Sequence, residues 1–278
     1  QAIKRPARPE ADITRIAPSL GKDNQADAVW NRLLEYVVSE AGVLFWLVAV
    51  LGVILTGVSK AYVTYSPDLA FPGAIEKLEA FAKVALDSGL QHIVLLSGRG
   101  EHFASMGEEV IRNSGLGYTI VRSAWFAQNF SEGYLRAPIL GGVLPMPGGD
   151  IAEPIIDIDD IADVVVAALT EEGHLGERYE VTGPRLMTMT DIAADLYAAT
   201  GREITFVDVP HDAFIAELTK SGAPKDVVWM LDYLFSTVLD GRNAHLTDGI
   251  QRALGRPPKD FADYARDVAA SGAWRAAA

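Results

Sequence analysis

The chain has 278 residues and a mass of 29.9 kDa, with 49% hydrophobic and 22% charged residues. That is enough apolar material for one large or two small domains, and it excludes disordered and collagen-like proteins. The absence of cysteine excludes disulfides, thiolate zinc sites and a cysteine nucleophile. A net charge of −13 argues against a nucleic-acid backbone as the main partner.

The composition changes near residue 60. Residues 1–60 carry seven basic and six acidic side chains, whereas residues 61–278 carry 17 and 31. Residues 41–59 are 19 consecutive uncharged residues, which as a helix would span roughly 28 Å, close to the thickness of a bilayer core. The run is compatible with a membrane anchor or with buried elements of an α/β core. We expect the second, and a cytoplasmic protein without a membrane partner.

Beyond residue 60, strand and helix patterns alternate. Periodicity and turn residues predict a strand at 61–65, a helix at 75–88 ended by Gly89, strands at 92–96 and 118–121, and a helix at 108–113 between them. They then predict a strand at 154–158, a helix through 164–169 capped by Asp159 or Asp160, a strand at 178–182, a helix at 192–200 with a capping box of Thr188 and Asp191, and a strand at 203–209. The remainder is predicted to be helical.

This alternation predicts parallel β-α-β units with right-handed crossovers. Ligands of such sheets bind beyond the carboxyl ends of the strands. Three loops are therefore candidates for a binding site by position alone, at 64–67, 97–100 and 122–130.

Six segments together resemble a known family. They are AYVTYSPD (61–68), HIVLLSGRGE (92–101), NSGLGYTIVRSAWFAQNFSEG (113–133), EPIIDIDDIADVVVAALTEEGHLGERYEVTGP (153–184), GREITFVDVP (201–210) and DGRNAHLTDGIQRALGRPPKDFADYAR (240–266). The set resembles the NmrA-like branch of the atypical short-chain dehydrogenase/reductases, with the ergot-alkaloid reductases of the festuclavine and agroclavine type and their bacterial relatives as the nearest match. The resemblance covers most of residues 61–270, and residues 1–60 do not match.

The resemblance implies an α/β fold with a Rossmann-like doubly wound parallel sheet and a small α/β C-terminal part on the substrate side. It places a dinucleotide-binding domain at 1–150, with 1–60 not legible, and a smaller substrate-side region, interleaved with the sheet, at 151–278. The implied cofactor is NADP or NAD, with NADP favoured.

The same resemblance assigns site residues. The implied cofactor-binding residues are Thr64, Tyr65, Ser66, Ser97, Ser123, Ala124 and Trp125. The implied substrate-facing residues are Trp125, Phe126, Gln128 and Asn129.

Two departures from the family pattern bear on the chemistry. The glycine-rich turn that binds the pyrophosphate is not visible in residues 1–20, since Gly21 is the first glycine. In the segment that begins at His102, Met106 stands where some members have lysine, and a thioether donates no hydrogen bond. General acid catalysis by a Tyr/Lys pair is therefore not expected.

His102 and Ser97 are the remaining catalytic candidates, with a solvated loop histidine as the alternative for His102. Because no HxxxH or HExxH spacing occurs, no metal site is expected.

These features favour an NAD(P)H-dependent reductase that transfers hydride to a small electrophilic imine, enone or quinone. An iminium substrate carries its own positive charge and would need little acid catalysis. The alternative is a catalytically silent, NmrA-like dinucleotide sensor that binds a protein partner. A small-molecule substrate, no nucleic acid and a homodimer complete the expectations.

Overall fold

The computed structural model describes residues 55–66, 68–132 and 135–275, all within one compact unit of residues 51–278. Its main sheet contains four parallel strands in the order β1 (Lys60–Val63), β2 (His92–Gly98), β3 (Gly117–Ser123) and β5 (Arg178–Val181). A second sheet pairs β4 (Val143–Met146) with β6 (Thr205–Asp208), also in parallel. The register of the main sheet sets Lys60 beside His92 and His92 beside Gly117. The carboxyl ends of β1, β2 and β3 therefore meet at one edge.

Nine α-helices lie in the described part of the chain. In order they are α1 (Ala74–Asp87), α2 (His102–Asn113), α3 (Arg136–Leu140), α4 (Ile158–Thr170), α5 (Met189–Thr200), α6 (His211–Lys220), α7 (Lys225–Tyr233), α8 (Gly249–Leu254) and α9 (Phe261–Ser271). A 3₁₀ turn at Ala127–Phe130 follows β3, and a π-helical turn at Leu234–Val238 extends α7.

Helices cover both faces of the main sheet. Successive β2 residues point to opposite faces, so Ile93 and Leu95 pack with α1 and α2, whereas Val94 packs with α4 and α8. A strand that is buried on both faces reads as a continuous apolar run, as HIVLL does in the sequence. The predicted Rossmann-like, doubly wound parallel fold is confirmed.

A third core cluster lies around the small sheet and α5, α7 and α9, and Phe130, Phe235 and Phe261 belong to it. The chain crosses between the sheets more than once, because β4 precedes the predicted boundary at residue 150 and β5 returns to the main sheet after it. The boundary itself stays a prediction.

Residues 154–158 are not a strand, contrary to the prediction. Phe126 and Ile156 form an isolated bridge, and so do Glu153 and Met187. The chain then enters α4 at once, because the Asp157 carboxylate accepts a hydrogen bond from the backbone N–H of Asp159 and caps the helix. The cap is therefore Asp157, and not Asp159 or Asp160.

The helix predicted at 108–113 begins six residues earlier, at His102. The sequence pattern did not predict the first six residues of this helix, because Gly107 lowers the helix propensity of that stretch. In the fold this glycine is a packing device: a Cβ there would lie 3.3 Å from methyl groups of Leu69 and Leu78. Strand β4 was not predicted at all.

Several local predictions are confirmed. Thr188 and Asp191 form the capping box of α5, and Gly89 and Gly201 have the positive φ of residues that end helices. No helix among the described residues has the length and apolar character to cross a bilayer. Most of the uncharged run at 41–59 lies outside those residues.

Candidate functional site

A cavity of about 330 Å³ opens at the carboxyl ends of β1, β2 and β3. This is the edge at which parallel sheets bind nucleotides, because crossover helices leave a crevice there. Its lining includes the predicted residues Thr64, Tyr65, Ser97, Ser123, Ala124, Trp125, Phe126 and Asn129. Residues from three separate loops therefore converge on one site.

Three predicted site residues do not line this cavity. Ser66 is exposed, and His102 is exposed at the first position of α2. The side-chain amide of Gln128 donates to an Asp157 carboxylate oxygen at 2.7 Å and accepts from the Ile158 N–H at 3.1 Å. Gln128 thus supports the start of α4. The functional roles of these three residues stay predictions.

The Ser97 hydroxyl belongs to a buried network. It donates to a carboxylate oxygen of Glu108 at 2.7 Å, and the Arg122 guanidinium binds the same carboxylate with two nitrogens at 2.8 and 2.5 Å. Glu108 is 3% exposed. The hydroxyl proton of Ser97 is therefore already used in a hydrogen bond to a carboxylate. The network connects β2, β3 and α2 next to the cavity.

Arg99 lies just beyond β2 and is 2% exposed. Its guanidinium donates to the Glu180 carboxylate at 2.8 Å, to the Asn243 carbonyl at 3.2 Å and to the His245 carbonyl at 3.2 Å. A Cβ at Gly100 would lie 2.8 Å from the Asn243 side chain, so this loop packs tightly on the segment around residue 243. Arg99 therefore joins the sheet edge to the chain before α8.

Two acidic side chains of the cavity have unusual protonation. Burial raises the pKa of Glu101 to about 8, and the neighbouring Asp68 carboxylate adds to the increase. Burial also raises the pKa of Glu153 to about 7, although Arg99 opposes the shift. Clustered, perturbed carboxyls in a cleft are typical of functional sites.

An apolar part of the cavity wall comes from one stretch of chain, residues 225–239, which we call the roof. Its lining residues are Met230, Leu231, Leu234, Phe235, Val238 and Leu239. Phe235 packs edge-on against Trp125, with ring centroids 5.9 Å apart. The site therefore combines a floor at the strand ends, which carries both polar and aromatic side chains, with an apolar roof.

Sequence reasoning missed Glu101, Glu153 and the roof, and it gave Arg99 only as part of the candidate loop 97–100. Their sequence neighbourhoods give weak signals, since a single charge before Pro154 and an amphipathic helix at 225–233 are ordinary surface patterns. The residues become a site only because the fold brings positions 64 to 243 together.

The residues that the sequence predicts for the nicotinamide side of a dinucleotide, Ser123, Ala124 and Trp125, line this cavity. Asn129 presents a side-chain amide there with both a donor and an acceptor. Within the described residues no hydrogen bond engages that amide. These polar groups are compatible with a nicotinamide, and residues 1–20, where the sequence shows no glycine-rich turn, lie outside the described residues. No cluster of three or more metal-ligating side chains occurs among the described residues.

The chain is similar to known reductases along most of its length. It is 29% identical over 226 residues to an NAD(P)H azoreductase from Xenophilus azovorans, covering 78% of each chain. It is 31% identical over 220 residues to festuclavine synthase II from Penicillium roqueforti, covering 75% of this chain and 74% of the relative. No protein-family model matches the chain.

The fold matches solved structures at lower identity. The NADPH-dependent quinone oxidoreductase from Escherichia coli, solved in complex with NADPH, superposes with a TM-score of 0.70 at 23% identity, covering 80% of each chain. At that identity the match concerns the fold alone.

Proposed function

The chain belongs to the NmrA-like atypical short-chain dehydrogenase/reductases, close to the ergot-alkaloid reductases, and we propose that it reduces a small electrophilic imine, enone or quinone with NAD(P)H. At the level of reaction class, it is an NAD(P)H-dependent oxidoreductase. One observation supports the proposal most strongly: residues at three strand ends line one cavity together with the apolar roof.

The cofactor, when bound, supplies the hydride, and the protein supplies position and polarity. Ser123, Ala124 and Trp125 form the floor at the end of β3, where the nicotinamide would lie. The side-chain carboxamide of Asn129 could form hydrogen bonds with the carboxamide group of the nicotinamide. The roof adds apolar surface next to this floor, and electrostatic interactions at the reacting atoms would strengthen where a bound substrate displaces water from it.

The walls favour a flat, largely apolar substrate. Trp125, Phe126 and Phe235 contribute aromatic surface, and the roof contributes four aliphatic residues and a methionine. Polar side chains line other parts of the same cavity, which suits a substrate with one electrophilic double bond and an apolar body. Imines, enones and quinones share that form.

The experiment is binding followed by turnover. Calorimetry with NADPH and NADH is expected to detect micromolar or tighter binding, and the loss of the reduced-nicotinamide absorbance is expected with at least one acceptor of an imine, enone and quinone panel. If neither NADPH nor NADH binds, the proposal is contradicted. Binding with no turnover on the whole panel would instead favour the dinucleotide sensor.

A further inference from the structure

Glu153 lies in the cavity as a buried carboxyl group without a partner. The residue is 3% exposed, lines the cavity, and its Oε1 atom has no hydrogen-bond partner. Its backbone is held in place, because the Glu153 N–H donates to the Met187 carbonyl at 2.9 Å and the Glu153 carbonyl accepts from the Met187 N–H at 3.0 Å. A fixed backbone therefore presents a side chain that the described fold does not use.

Other buried carboxyls in the described residues have partners. Glu108 is bound by Ser97 and Arg122, as described above. Asp157 caps α4 and lies 3.0 Å from the Lys259 ammonium. Asp160 accepts from Arg256 at 2.6 Å. These groups contribute to the fold, and burying a carboxyl without such a partner costs free energy unless it holds a proton or serves a function.

The charges around Glu153 come from two loops. Arg99 faces it from the loop after β2, and Asp240 faces it from the loop after the π-helical turn. Arg99 is already bound to Glu180 and His245, and Asp240 to Arg242. Neither loop gives Glu153 a direct ion pair, so desolvation dominates and raises its pKa to about 7, which leaves part of the carboxyl protonated at neutral pH.

We propose that Glu153 is the proton donor of the reduction, in place of the Tyr/Lys pair that this chain does not show. The proposal rests on the reductase function proposed above. Hydride from NAD(P)H bonds to the electrophilic atom of the substrate, which is reduced as NAD(P)H becomes NAD(P)⁺. The π electron pair moves to the other atom of the double bond, and that atom takes the proton of the Glu153 carboxyl. The carboxylate then recovers a proton from water.

The chemistry predicts a difference between two classes of acceptor. A quinone needs a proton as well as the hydride, whereas a preformed iminium cation needs the hydride alone. Since general acids contribute about 10²–10⁴-fold, loss of the proton donor slows the first reaction and spares the second. A residue that only maintained the structure would affect both reactions alike.

The test compares Glu153→Gln with wild type on menadione and on N-methyl-3,4-dihydroisoquinolinium. We expect the variant to reduce the quinone at least about 100-fold more slowly and the iminium within about threefold of wild type. Glu79→Gln, exposed on α1, is the matched control and is expected to behave as wild type. The iminium rate and the NADPH affinity report whether the variant has folded.

A second readout needs no cofactor. In protein with ¹³C-labelled glutamate, a carboxyl signal is expected to titrate near pH 7, to persist in Glu79→Gln and to be missing from Glu153→Gln. Wild-type quinone turnover is expected to fall above about that pH, while iminium turnover stays flat.

The outcomes separate the two proposals. If wild type reduces no acceptor of the imine, enone and quinone panel, the reductase function fails. If wild type reduces both and Glu153→Gln slows both equally or neither, or if Glu153 titrates near its ordinary value, only the role of Glu153 fails.

Discussion

Two glycines show how single atoms position the acids of the cavity. A Cβ at Gly183 would lie 2.0 Å from the Ile155 carbonyl oxygen, and the Gly183 N–H donates to the Pro154 carbonyl at 3.1 Å. The chain after Glu153 therefore rests directly on the backbone that follows β5. At Gly98 the near atom is instead the Glu101 carboxylate, at 1.9 Å, which is the mobile end of a side chain.

The two glycines predict different costs for the same substitution. Gly183→Ala is expected to lower the free energy of unfolding by about 2 kcal/mol, since backbone has to move, and to weaken quinone reduction with it. Gly98→Ala is expected to change it by less than about 0.5 kcal/mol, because only Glu101 turns aside. Urea unfolding of both variants measures this, and equal losses would contradict the argument.

Sequence predicts residue roles unevenly. The capping box and the helix-ending glycines follow from local hydrogen bonding and φ, so a few residues suffice to find them. Glu153 could not be found that way. Its backbone pairs with Met187 and it lines the same cavity as the roof, both of which are distant in the chain, and the short apolar run after it resembles a strand.

At the scale of elements, the roof is attached to the sheet edge by an aromatic cluster. The Tyr233 hydroxyl accepts a hydrogen bond from the His102 N–H at 3.1 Å, at the start of α2. Tyr233 also stacks on Trp229 with ring centroids 5.8 Å apart and packs edge-on against Phe103. The π-helical turn that follows places Leu234 and Phe235 over the cavity.

This attachment predicts how readily the roof opens. Tyr233→Phe keeps the ring contacts and removes one hydrogen bond, worth about 1 kcal/mol, so amide exchange in α7 is expected to accelerate about fivefold. Tyr197→Phe, on an exposed face of α5, is the control and should leave α7 unchanged. Unaltered exchange in Tyr233→Phe would mean that packing alone retains the roof.

At the scale of the whole molecule, the net charge is −13, and its acidic residues include two groups whose ionisation affects stability in opposite directions. Carboxylates paired with cations ionise readily: Arg185 lowers the pKa of Asp260, and Lys259 lowers that of Asp267. The cavity acids Glu101 and Glu153 have pKa values raised to about 8 and about 7. The paired groups lose their stabilising contribution as pH falls through their pKa values, and the cavity acids oppose folding as pH rises.

The sign of the cavity effect can be measured. Between the ordinary pKa of glutamate and about 8, folded Glu101 keeps a proton that the unfolded chain releases, so stability falls as pH rises. The slope for one such group is at most about 1.4 kcal/mol per pH unit. Glu101→Gln is expected to flatten the dependence of the urea midpoint between about pH 5 and 8, with Glu79→Gln as the control. A profile as steep as that of wild type would contradict the raised pKa.

The sequence by itself determined the class of fold, the order of most strands and helices, and the family, because apolar periodicity, caps and loop motifs are local in the chain. It also indicated three loops that meet at the cavity, since parallel strands end at one edge. Only the tertiary structure decided which polar groups lose water there. Desolvation depends on every residue around a group, and those around Glu101 and Glu153 come from segments more than a hundred residues apart.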